Sequence, residues 1–296
     1  MKLTPTKIII ALFLVFFVAS GIGLAADKKL NIVVFGAHPD DPDSMGGTMA
    51  KFVEQGHNVY LVSMTNGNAG HYKEGGGPLA QRRYKEAMCA GAAIGAKYIV
   101  CDIDDGKLMP TMENRELVIK MIRQWKADIV ISHRPNDYHP DHRNTGLLVR
   151  DAAYMVTVPN IVPNTPHLRY NPVFMYSPDR FTSPTPFVPD VVIDVDSEME
   201  KKINMYHCHT SQMYEWLPYN ANRLEEVPEG DAARRAWMAE RRGGPSRISE
   251  AEMEKLVEFY GKERASQVKH IEALQVSEYG RRPSKEELKE LFPFFD

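Results

Sequence analysis

Two short clusters in this chain combine histidine with aspartate: Ala37-His38-Pro39-Asp40-Asp41 and His139-Pro140-Asp141-His142. Imidazole and carboxylate are the groups that bind a catalytic zinc, which takes three protein ligands and keeps one position open. His38 and Asp41 lie three residues apart, so in a turn or a first helical turn they share one side while Asp40 points elsewhere. One carboxylate can then bind metal while its neighbour takes a proton, the division of tasks that metal-assisted hydrolysis needs. His139 and His142 repeat the spacing around Asp141, which is placed to orient a histidine. Four candidate ligands compete for three places, and spacing alone does not choose between His139 and His142.

Each cluster follows an apolar run that reads as a strand. Runs at 31–36, 59–64, 98–101, 128–132, 173–176 and 191–195 alternate with helical patterns at 47–55, 79–94, 113–125 and 145–155, with Gly56 and Gly95 as stop signals. This alternation predicts an α/β three-layer sandwich of Rossmann-like type, with a mainly parallel sheet between two helical layers. Sites in such sheets form beyond the carboxyl ends of the strands, where both clusters begin, so the two join into one centre. No G-x-G-x-x-G follows the first strand, which disfavours a dinucleotide site. The stretch 158–189 carries eight prolines and predicts a long ordered loop wrapping the sheet edge, either lining a substrate entrance or covering an edge strand. Beyond Ser197 the pattern turns helical over 198–216. Charged helical pieces at 232–241, 250–272 and 285–291 then make 217–296 a helical C-terminal appendage to a main domain at 27–216.

The 296 residues, 43% hydrophobic and 25% charged, are enough for one large domain with an appendage. A formal charge of -3 does not suggest nucleic acid as a partner. Lys2 and Lys7, an apolar stretch at 8–18 and the small residues Gly23-Leu24-Ala25-Ala26 follow the order of a secretory signal peptide over 1–26. The alternative is an uncleaved anchor, since 8–26 is long enough to span a bilayer. Both addresses, secreted or periplasmic in one case and membrane-anchored in the other, lie outside the cytosol. Cys89, Cys101 and Cys208 are odd in number and unrelated in spacing, which implies no disulfide framework. Cys89 and Cys101 read as small core residues.

The motifs AHPDD at 37–41, GGT at 46–48, TNG at 65–67, Arg83-x-x-Glu86 and HPDH at 139–142 resemble those of the PIG-L/LmbE-like family of zinc-dependent N-acyl deacetylases, whose substrates are N-acetylglucosamine-type amino sugars. The resemblance implies a Rossmann-like fold and one zinc per chain held by His38, Asp41 and His142. It makes Asp40 the base that activates a zinc-bound water, and His139 an imidazolium, oriented by Asp141, that stabilises the oxyanion. The partner implied is a glycan or amino sugar. Many members reach the paired glycines one residue later than the Pro42-Asp43-Ser44-Met45 run does here, which leaves the task of Asp43 open.

Substrate contacts are expected from residues that leave the same sheet end. Asn66 and His71 sit in the glycine-rich stretch 65–77, and Arg83 stands where the family often meets the sugar, with an ion pair to Glu86 as the alternative. Arg134 and Asn136, between the fourth strand and HPDH, suit sugar hydroxyls, with Asp137 as a supporting group. The family often carries His-x-Ser-Gln at 209–212, which puts His209 at the pocket rim. Two further functions compete. A metal-dependent phosphoesterase needs ligands for a second ion, and no third cluster of comparable density is present. A non-catalytic glycan-binding protein has no need of both Asp40 and His139.

Overall fold

The computed structural model describes residues 28–295; the segment read as a signal peptide or anchor lies outside them. In chain order the elements are β1 (Asn31–Gly36), α1 (Gly46–Glu54), β2 (Asn58–Ser63), α2 (Gly76–Ile94), β3 (Lys97–Val100), α3 (Met112–Gln124), β4 (Ile129–Ser132), α4 (Pro140–Met155), β5 (Val173–Tyr176), β6 (Val191–Asp194), α5 (Met199–Cys208), α6 (Leu217–Asn220), α7 (Asp231–Arg242), α8 (Glu250–Ala265), β7 (Ile271–Gly280) and α9 (Lys285–Leu291). They form one sheet in the order β3-β2-β1-β4-β5-β7-β6. The first five positions pair in parallel, and β7 runs antiparallel to both of its neighbours.

The strands bury both faces, as a sheet between two helical layers requires. Period-two alternation sorts their side chains into two cores. Ile32 and Val34 of β1, Leu61 of β2 and Ile131 of β4 pack on one side with Met49, Phe52, Ala87 and Met205. Val33, Phe35, Val62 and Val130 pack on the other with Val118, Ile122, Leu148 and Val149. Helices α1, α2 and α5 therefore cover one face, and α3 and α4 the other. β1 bonds to β2 on one edge and β4 on the other, so the chain reverses its winding direction between β1 and β4. A crevice opens at such a switch point beyond the strand ends.

The structure departs from the sequence expectations in four places. The C-terminal stretch is helical at α7, α8 and α9, yet Ile271–Gly280 is a strand inserted between β5 and β6. The polar residues that mimic a solvated helix there have buried partners: Glu272 accepts the Gly47 and Thr48 amides at the start of α1 and pairs with Lys202, where a carboxylate complements the helix dipole. The proline-rich stretch is irregular on both sides of β5, but β5 lies inside the sheet and not at its edge. The run at 198–216 is broken at His209 between α5 and a π-turn, Gln212–Trp216. Finally, Cys89 of α2 and Cys208, the last residue of α5, are joined in a disulfide, while Cys101 is free and buried. The odd count concealed a pair, because one thiol is simply a core residue.

Candidate metal centre

The loop leaving β1 folds back on itself through Asp41. One of its oxygens, Oδ2, accepts the backbone amides of Ala37 at 2.9 Å and His38 at 2.7 Å, and the Asp41 amide returns a bond to the His38 carbonyl. The second cluster lies on the first turn of α4 and not in a loop. His139 is the N-cap, its Nδ1 accepting the Asp141 amide, and Pro140 takes the first helical position, where its missing N–H costs nothing. His142 then points from the first turn toward the β1 loop.

The result is a compact triad. His38 Nδ1, Asp41 Oδ2 and His142 Nε2 lie 3.2 to 3.4 Å from one another. Bonds of about 2.0 to 2.1 Å in a tetrahedron set its edges at about 3.3 to 3.4 Å, so the three atoms fit one face of a tetrahedral zinc-sized site. Each histidine directs its other nitrogen to a carboxylate: His38 Nε2 lies 3.1 Å from Asp105, and His142 Nδ1 3.1 Å from Asp137. This fixes the tautomer and ring orientation that a metal ligand needs. Three other triplets could gather round an ion: His38 with His139 and His142, Asp41 with His133 and His142, and His38 with Asp105 and Asp141. In the last, Asp141 is already engaged by the Gly106 and Leu108 amides. His133 packs flat on His142 at 4.2 Å and reaches Asp41 at 3.3 Å, bracing two members of the first triad.

Charge in the centre follows from these contacts. Burial opposes the Asp41 charge, but His142, His133 and His38 outweigh it and hold the carboxyl well below the usual range. Burial likewise opposes the His38 imidazolium, yet Asp105, Asp141 and Asp41 raise its pKa well above the ordinary value. His139 goes the other way: burial, then His38 and His142, push it down. Its Nδ1 accepts the Asp141 amide as the helix cap, so Nε2 is the ring nitrogen left to carry a proton. Asp141, expected to orient His139, meets it through its backbone amide and turns its carboxylate to Gly106, Leu108 and His38.

Asp40 stands apart from the triad. Its Oδ1 accepts from Arg83 Nη2 at 2.6 Å, and Arg83 is almost fully buried, its Nη1 bonded to the Gly67 carbonyl. Gly67, at φ +69°, lets the guanidinium pass: a Cβ there would lie 2.4 Å from Nη1. Arg83 thus meets neither the Glu86 alternative nor open solvent. Glu86 is occupied by Thr210 and Ser211.

The remaining sequence candidates are mostly framework. Asn66 bonds Asp102 and the Asn68 amide. His71 has one ring nitrogen on Glu215 and the other on the Lys73 and Glu74 amides. Arg134 is buried and directs four of its five N–H donors to Asp179 and to the carbonyls of Phe181 and Thr185, a framework role rather than the expected sugar contact. Asn136 holds the Ser183 carbonyl. His209 is fully buried and bonded to Asp43 at 2.7 Å, so it is not at a rim; the same contact gives Asp43 its task, anchoring the metal loop to the segment after α5. Asp105 is a residue that the sequence patterns did not single out, although it too leaves a strand's carboxyl end, in the Asp102-Ile103-Asp104-Asp105 run after β3. Asp105→Asn is expected to weaken metal binding about 10- to 100-fold with the fold intact, measured by chelator competition; unchanged affinity would remove Asp105 from the support of His38.

The doubly wound sheet and the constellation at its switch point define a metal-centre enzyme of the α/β class. The family model described as PIG-L, GlcNAc-PI de-N-acetylase, matches residues 33–153. The diacetylchitobiose deacetylase of Thermococcus kodakarensis is 30% identical over 200 residues, covering 62% of this chain and 72% of that protein. The chain belongs to the PIG-L family. A 4-oxalmesaconate hydratase of Pseudomonas putida is 24% identical over 206 residues, covering 67% of this chain and 80% of that protein. The fold matches that of N,N'-diacetylchitobiose deacetylase from Pyrococcus horikoshii with a TM-score of 0.61 at 24% identity, over 83% of each chain.

Proposed function

We propose that this protein is a zinc-dependent N-deacetylase, hydrolysing an N-acyl group, acetyl in the simplest case, on an amino-sugar glycan. The observation that carries this reading is a triad of two nitrogens and one oxygen with tetrahedral edge lengths, beside a carboxylate that is not part of it. Zinc, when bound by His38, Asp41 and His142, supplies a Lewis acid for the amide carbonyl and a water acidified towards a pKa of about 7. Asp40, steadied through Oδ1 by Arg83, keeps Oδ2 to accept the proton of the attacking water and hand it to the departing amine. His139 offers Nε2–H to the carbonyl oxygen as charge develops there. Water and amide are consumed; carboxylic acid and amine result. The deacetylase relative at 30% identity supports this choice.

The hydratase relative supports a second reading, addition of water to an unsaturated acid at the same centre. A two-metal phosphoesterase has less support, because each further triplet among the described residues reuses a member of the first. An extracytoplasmic address is part of the proposal, supported by the N-terminal pattern and by the Cys89–Cys208 disulfide, a bond typical of oxidising compartments. The test is metal analysis of the purified chain with acetate release measured over N-acetylated mono- and oligosaccharides. About one zinc per chain and acetate from at least one sugar are expected. A zinc-loaded protein that releases no acetate but hydrates an unsaturated dicarboxylic acid would move the chain to the second reading.

A further inference from the structure

We propose, resting on the deacetylase reading, that the sugar next to the reacting amino sugar carries a carboxylate and docks in a cavity between the start of α4 and the loop at 179–185. This cavity, of about 530 Å³, is in the size range of small-molecule sites. It adjoins the metal centre, since Asp137 and Tyr138 belong to its wall and Asp137 also holds His142.

Its walls are aromatic without a packing reason to be. Tyr138 is 72% exposed, yet its ring lies 5.4 Å from His142 and 5.7 Å from His139, with Phe181 across from it at 6.3 Å. Flat apolar faces with a polar edge suit the alternating C–H and hydroxyl surfaces of a sugar ring. The opposite wall is held from beneath. Buried Arg134 grips Asp179, Phe181 and Thr185, and Asn136 grips Ser183. A buried guanidinium is thus committed to placing Phe181 and Arg180 opposite Tyr138.

The charge of the cavity is one-sided. Arg143 and Arg180 line it; Arg143 bonds only to the Asp137 and Tyr138 carbonyls, and no carboxylate pairs with either among the described residues. The one acidic residue of the lining, Asp137, directs its carboxylate to the His142 ring and the His139 amide. Two guanidiniums without counter-charge beside an aromatic pair fit a carboxylated sugar, because the guanidinium fork matches a carboxylate.

The experiment compares acetate release by the zinc-loaded full chain from two disaccharides: N-acetylglucosamine linked to glucuronic acid, and neutral N,N'-diacetylchitobiose. The acidic sugar is expected to show a kcat/KM about fivefold higher, mainly through KM, with the preference shrinking as salt is raised. Arg180→Gln should bring the ratio of the two substrates close to one, and Arg180→Lys should restore part of it. A wild-type ratio near one, or a preference that survives Arg180→Gln, overturns the proposal. Absence of acetate from both sugars, with release from another N-acetylated sugar, also overturns the proposal, whereas absence from every N-acetylated sugar tested overturns the deacetylase reading itself.

Discussion

Asp40→Asn is expected to lower kcat for acetate release by about 10²- to 10⁴-fold while the purified variant keeps about one zinc per chain. The isosteric amide can still accept the Arg83 hydrogen bond through Oδ1, so the loop between β1 and α1 keeps its shape. It cannot accept the proton of water at neutral pH. The triad is untouched, because Asp41 takes its bonds from the Ala37 and His38 amides and not from Asp40. KM should therefore change little, the signature of a group that acts in the transition state. Single-turnover acetate release, with zinc measured on the same sample, checks both halves. Loss of zinc would make Asp40 a ligand, and a kcat within tenfold of wild type would place the base elsewhere. His38→Ala is the contrast, since it removes a triad member and should forfeit the metal itself.

The parts of this centre that were legible in the sequence are those that local rules govern. Strand identity follows from apolar runs, and the rule that sites gather at strand carboxyl ends is enough to bring AHPDD and HPDH together. Their three-residue spacing also separates Asp40 from Asp41, and the fold turns the two carboxylates to different partners, Arg83 and the triad histidines. What stayed hidden depends on pairings between distant segments. His209 resembles a rim residue because its pattern is polar, yet it lies beneath the metal loop on Asp43, 166 residues away in sequence. Arg134 has the chemistry of a sugar binder, but four of its five N–H donors go to the 179–185 loop. Residues 271–280 mix charges with apolar residues much as an exposed helix does, yet they pair as a strand with β5 and β6, and α1 and Lys202 receive the Glu272 carboxylate. Each miss is a polar side chain whose partner lies far along the chain, and no periodicity records such a partner.

The same long-range logic makes the disulfide the strongest expected lever on stability. Cys89 and Cys208 are 119 residues apart in sequence, and closing a loop of that length restricts the unfolded chain by about 4 to 5 kcal/mol in the chain-entropy description. The bond also fixes the end of α5, directly before the segment where His209 meets Asp43 and Ser211 meets Glu86. Cys89→Ala with Cys208→Ala is therefore expected to lower unfolding free energy by about 3 to 5 kcal/mol and to weaken zinc retention as the support of the metal loop loosens. Reduction of the wild type should give a similar loss, and reoxidation should recover the original pairing. Cys101 will not compete for it, because burial pushes its thiol up to about 12 and leaves little thiolate for exchange. Urea unfolding of wild type and double variant, with and without reductant, measures the difference. A double variant within about 1 kcal/mol of wild type would show that packing of α2 against α5 alone holds this corner, because the chain-entropy contribution of so long a loop cannot otherwise be lost without trace.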